Sequence, residues 1–160
     1  MKRALMLALI AAVILPFPAG AQSKPDFSGT WTMDTAKSDP APQGRGGGGG
    51  GGTVTIKQTA TELSITSEGR QGPQTLTYKL DGSPSTNTVM GRGGQSEVKS
   101  TAKWDGSALV IESTRDFGGN TVTTKETRRL DSSGREMTVE IATTGGQQGA
   151  MTRKVVYTKS

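Results

Sequence analysis

Three arginines, one glutamate and one tyrosine carry the most chemistry in this chain, because their spacing places them among apolar partners. Strand alternation over 121–130 puts Val122, Thr124, Glu126, Arg128 and Leu130 on one face. Over 151–159 it aligns Arg153, Val155 and Tyr157, and over 108–115 it aligns Leu109, Ile111, Ser113 and Arg115. A charge turned into a protein interior is costly unless it is paired. Two outcomes satisfy that demand. One is a ligand site, since the planar fork of Arg128 and Arg153 suits a carboxylate. The other is internal pairing: Glu126 with an arginine of a neighbouring strand, or an arginine stacked on Trp31. Trp31 and Trp104, the only tryptophans, either line a pocket or anchor the core at the ends of the fold.

Much other chemistry is excluded. There is no histidine and no cysteine, so serine–histidine and cysteine–histidine nucleophile pairs cannot be built, nor zinc sites rich in those ligands. The aspartates fall at strand ends and turns, where they have ordinary structural reasons to sit. No Asp-x-Asp-x-Asp loop offers a calcium site. The run Gly46–Gly52 continues into Thr53-Val54 without the lysine a phosphate-binding loop needs. The reading is therefore a non-enzyme with no cofactor and no metal. The net charge of +5 is mild, and no aromatic-rich basic motif points to nucleic acid.

The elements that must position these residues are strands. Lys2 and Arg3, the uncharged run Ala4–Leu15, the breakers Pro16 and Pro18, and Ala19-Gly20-Ala21 have the layout of a secretory signal peptide over 1–21. The apolar run is too short for a stable membrane span. Residues 22–160 form one domain's worth of chain. Turn signals recur about every 8–12 residues, the spacing of an all-β fold. The first strand is expected over Phe27–Asp34, with Phe27, Gly29, Trp31 and Met33 sharing a face. A flexible Pro/Gly-rich loop over 35–52 follows, where glycine entropy prevents a stable element. Further strands in sequential hairpins bring the total to about ten, Ser85–Met90 being the weakest. Short connections favour an antiparallel up-and-down meander that curls into a closed or nearly closed barrel, with a twisted open sheet or a sandwich as the alternatives.

Several short motifs resemble the calycins, the superfamily of lipocalins and fatty-acid-binding proteins. Gly29-Thr30-Trp31 is similar to their first-strand Gly-x-Trp. The order Lys99-Ser100, Trp104-Asp105-Gly106, Leu109-Val110, Thr127-Arg128-Arg129-Leu130 and Tyr157-Thr158-Lys159 is similar to that of fatty-acid-binding proteins. Gly-Thr-Trp followed by Ala36-Lys37-Ser38-Asp39 also resembles small exported bacterial proteins. The resemblance implies a calycin-like barrel in which Gly29 and Trp31 are structural. It also implies that Arg128 and Tyr157 hold a ligand's carboxylate. The family's second arginine lies two residues before the tyrosine, where this chain has Val155; Arg153 keeps that face one pleat further along. The family's two lid helices are replaced here by the glycine-rich loop.

Two functions are thus expected. The first is an exported, periplasmic or secreted, binding protein for a small amphipathic or hydrophobic molecule, with Arg128, Arg153, Tyr157, Arg115 and Trp104 lining the ligand. The second is an envelope module with a filled interior and a protein partner, favoured by an aromatic content of only 4%.

Overall fold

The computed structural model describes residues 24–40, 52–69, 72–91, 94–117, 119–146 and 149–160. The expected signal segment 1–21 and most of the expected loop, 41–51, lie outside the described residues. Ten strands are present among the described residues: β1 (Gly29–Met33), β2 (Thr53–Gln58), β3 (Glu62–Gly69), β4 (Gly72–Lys79), β5 (Ser85–Gly91), β6 (Gly94–Asp105), β7 (Ala108–Phe117), β8 (Asn120–Leu130), β9 (Glu136–Gly145) and β10 (Met151–Lys159). They form one antiparallel sheet in the order β4-β3-β2-β1-β10-β9-β8-β7-β6-β5. Every neighbour is the next hairpin along the chain except β1 with β10, the pairing that curls the meander round on itself. Ser85–Met90 is a strand, extended by Gly91. No helix among the described residues is long and apolar enough to cross a membrane.

The barrel is nearly closed, because β4 and β5, consecutive in the chain, share no backbone ladder. Side chains bridge them instead. Asn87 accepts a hydrogen bond from the Thr77 amide at 2.8 Å and donates one to the Thr77 carbonyl at 3.0 Å. Ser85 Oγ accepts from the Lys79 amide at 2.9 Å. Both side chains are buried, so backbone groups that would otherwise lack partners are satisfied by residues of a type usually kept on surfaces.

At the end where β1 begins and the β2–β3, β6–β7 and β8–β9 hairpins turn, the segment before β1 crosses the opening. Phe27 is fully buried and stacks on Trp104, with ring centroids 6.0 Å apart. Its amide bonds the Gln58 side chain rather than a strand neighbour, so β1 starts at Gly29 rather than at Phe27. Gly29 has φ +135°, and a Cβ there would run into the Lys159 side chain. Trp31 is fully buried and donates its indole N–H to the Phe27 carbonyl at 2.8 Å. The cation over its ring is Lys159, at 5.2 Å, rather than an arginine.

At the other end β1 leaves β10 after Met33, and the segment 34–39 takes over that edge. Asp34 N–H donates to the Val156 carbonyl, Val156 N–H to Ser38 Oγ, and Asp39 N–H to the Lys154 carbonyl. The stretch Ala36-Lys37-Ser38-Asp39 is therefore an edge cover for β10. Val156, although on the outer face, is buried.

Candidate functional site

The interior is graded along the barrel axis. Near the end crossed by Phe27 it is large and apolar: Trp31, Leu63, Leu80, Leu109, Met137 and Val155 form one contiguous buried cluster. Toward the opposite mouth the inward positions of β6 to β9 become small and hydroxylated. Ser100 pairs with Ser113, Ser113 with Thr124, and Thr124 with Thr143. Those four hydroxyl side chains therefore make one belt across four strands. Ser100 Oγ and Ser113 Oγ are 2.8 Å apart, and the two threonine hydroxyls 3.5 Å.

Between the two zones sits a charged pair. Arg128 is only 8% exposed, and its Nη2 donates to Glu126 Oε2 at 2.5 Å. The pairing runs along one strand between residues two apart, because both face inward on β8. Of the outcomes open to an inward arginine, internal pairing with Glu126 is realised, though within a strand rather than between strands. Among the N–H groups the pair leaves over, that of Arg128 Nε is buried with no hydrogen-bond partner. Burial works against the guanidinium charge, but Glu126, Tyr78 and Tyr157 more than offset it, so its pKa is raised.

The chain's two tyrosines both lie near enough to this pair to feel its charges. Tyr157 lies on β10 and Tyr78 on β4, across the barrel. Burial raises the pKa of the Tyr78 hydroxyl far above its ordinary value, with Glu126 adding and Arg128 opposing. Burial likewise raises that of Tyr157, against the effect of Arg128. Both therefore stay protonated across the physiological range. Tyr78 was not singled out by sequence reasoning. It has the same alternation as Leu76 and Leu80, and nothing local marks it as facing β8.

The remaining candidates are dispersed. Arg153 is half-buried, in the register row of Glu126 through Ile141, and is close enough to influence Tyr157. Arg115 is half-buried near the mouth end of β7, opposite Val122. Trp104 belongs to the other end. It lines an open cleft of about 320 Å³ with Lys24, Asp26, Gln58 and Leu80. Lys24 Nζ lies 5.7 Å from its ring centroid, and its indole N–H is buried without a partner. A second cleft, of about 280 Å³, is lined by Asp39, Lys125, Thr127, Glu140 and residues 152–154. Neither cleft is lined by Arg128.

No family model matches the sequence, and no curated protein matches it by sequence. Solved structures do match in fold. An SAHS (secretory abundant heat soluble) protein from Ramazzottius varieornatus superimposes with a TM-score of 0.57 at 14% identity, covering 88% of this chain and 99% of that one. Caenorhabditis elegans lipid binding protein 8 superimposes with a TM-score of 0.50 at 10% identity, covering 84% and 95%. At such identities the likeness is one of fold. The described residues have a calycin-like fold, an all-β, nearly closed barrel of ten antiparallel strands.

Proposed function

We propose that this chain is a non-enzymatic binding protein whose barrel takes up a small amphipathic molecule. The observation that carries the reading is Arg128, buried inside the barrel with its Nε–H unpartnered. Buried donors are rarely left unsatisfied, and those that are need an explanation. A ligand acceptor at Nε supplies one. The fold shared with a lipid-binding barrel is consistent with it. Arg153 and Arg115, nearer the mouth, extend the lining, while Trp104 serves the cleft at the other end.

The test is native mass spectrometry of residues 22–160 purified from the host's own envelope, followed by denaturation and analysis of what is released. A stoichiometric small molecule, absent from a folded Arg128→Leu variant, is expected. A bare protein mass, together with no uptake of amphiphiles in vitro, would overturn the reading. Residues 1–21 act in this proposal as an export signal, so envelope material should begin at Gln22.

A second reading is favoured by a different observation. The apolar cluster from Phe27 to Tyr157 is contiguous, and the two clefts lie away from Arg128. On that reading the chain is an envelope module with a filled interior and a protein partner.

A further inference from the structure

We propose that the cleft beside Trp104, at the end crossed by Phe27, is a site for a small organic cation, a quaternary ammonium or a protonated amine, and that Lys24 stands in it as a tethered resident. Arg128 does not line this cleft, which is independent of the ligand proposed for the interior.

One wall of the cleft is an indole ring. Trp104 is half-buried, and the fully buried Phe27 stacks on it with ring centroids 6.0 Å apart, which holds the ring in place. An aromatic face attracts a cation through the ring quadrupole. That attraction is already in use: the Lys24 ammonium lies 5.7 Å from the Trp104 centroid. Asp26 lines the same cleft. Hydrogen bonding from Ser28, whose amide donates at 2.9 Å, holds the Asp26 carboxyl below the usual carboxylate range, so it is ionised at neutral pH. Lys159 adds least to that shift, its own ammonium lying over the Trp31 ring. Among the described residues neither Lys24 nor Asp26 forms an ion pair.

Charge and room decide what else fits. With Lys24 in place the cleft lining carries one positive and one negative side chain; once Lys24 swings out it carries only the carboxylate. The open volume of about 320 Å³ exceeds what one ammonium needs. Lys24 is exposed on a flexible stem, so leaving costs it little: an exposed cation–π contact is weak, and the side chain regains rotamer freedom. A ligand cation then restores both the ring contact and the neutralisation of Asp26. An anion drawn to Lys24 would instead have to sit beside the Asp26 carboxylate. The second cleft has no comparable wall. No aromatic ring lines it, and its Asp39 is already engaged by the Lys154 amide at 2.6 Å.

The experiment titrates choline and dimethylbutanol, its uncharged carbon isostere, at neutral pH and low ionic strength, following the Trp104 indole N–H resonance by NMR. Wild type, Lys24→Ala and Asp26→Asn are compared, with circular dichroism confirming the fold. Choline should shift the resonance saturably and bind at least about threefold more tightly than the alcohol. Lys24→Ala removes the resident and should tighten choline binding by at least about threefold, the reverse of what losing a ligand contact would do. Asp26→Asn should weaken choline binding by a similar factor and leave the alcohol unchanged. Equal binding of choline and the alcohol, or no saturable shift with choline in either wild type or Lys24→Ala, would overturn the inference. Weaker choline binding in a folded Lys24→Ala would overturn the role of Lys24 as resident. If Asp26→Asn does not fold, Lys24→Ala and the alcohol decide. None of these outcomes bears on the reading of the interior.

Discussion

Replacing Glu126 with leucine should destabilise the protein far more than replacing the whole Glu126–Arg128 pair. The Arg128 side chain is 10% exposed, and among the described residues its ion-pair partner is Glu126. Removing that partner leaves a buried guanidinium unpaired, a loss that runs to about 3–5 kcal/mol for fully buried pairs. Glu126 retains 24% exposure, so some water already reaches the pair, and the lower figure, about 3 kcal/mol, applies. Arg128→Leu alone should cost less, about 1–2 kcal/mol, because the abandoned carboxylate can turn toward water. The double variant Glu126→Leu/Arg128→Leu should return to within about 1 kcal/mol of wild type, since apolar side chains of similar volume replace a pair whose attraction roughly cancels its desolvation. The assay is urea unfolding of residues 22–160 followed by the fluorescence of Trp31 and Trp104, with slopes compared to exclude altered denatured states. With a slope of about 2 kcal/mol per molar, Glu126→Leu should lower the midpoint by about 1.5 M. A Glu126→Leu midpoint indistinguishable from wild type would show that the pair is not closed off from water. A double variant weaker than Glu126→Leu would refute the argument that the unpaired charge carries the cost.

Two further outcomes follow from side-chain hydrogen bonds. Asn87→Ala removes both bridges to the Thr77 peptide group across the β4–β5 seam and should cost about 2 kcal/mol, with faster hydrogen exchange at the Thr77 amide; unchanged exchange there would show that the seam does not depend on Asn87. Asp131 accepts hydrogen bonds from the Ser133 side chain and the backbone amides of Glu136, Ser133 and Arg135, which bring its carboxyl down from 3.8 to about 2. A folded pKa below the unfolded one contributes stability that is present above about pH 4 and lost as the pH falls toward 2. Asp131→Asn should therefore lose less stability than wild type across that window, and an Asp131 carboxyl that titrates near 3.8 by NMR would refute the assignment.

Much of this architecture is legible in the sequence because a strand's side-chain period is local. Alternation alone turns Arg128, Glu126, Val155 and Tyr157 to the same side as the core, and turn dipeptides such as Asp81-Gly82 and Asp105-Gly106 punctuate the meander. Glu126 and Arg128 could have been paired from sequence, since two inward residues on one strand are neighbours whatever the rest of the fold does. Alternation by itself equally allows Glu126 an arginine on an adjacent strand as its partner. The start of β1 differed by two residues because Phe27's amide is satisfied by Gln58, a partner thirty-one residues away.

What period two cannot supply is which faces meet across the barrel, because that depends on closure and register summed over ten strands. Tyr78 is an ordinary strand residue until β4 comes round opposite β8. Asn87 and Ser85 read as a weak strand until the meander stops one ladder short of closing, and their amide and hydroxyl groups become its last hydrogen bonds. The alignment of Ser100, Ser113, Thr124 and Thr143 into one belt requires three registers to agree at once. Sequence determined the strands, their inward faces and the presence of a charge inside. Tertiary structure decided that this pair is buried, that Tyr78 comes near enough to feel its charges, and that Arg128 Nε is left without a partner, because only the curled meander sets distances between residues the chain keeps far apart.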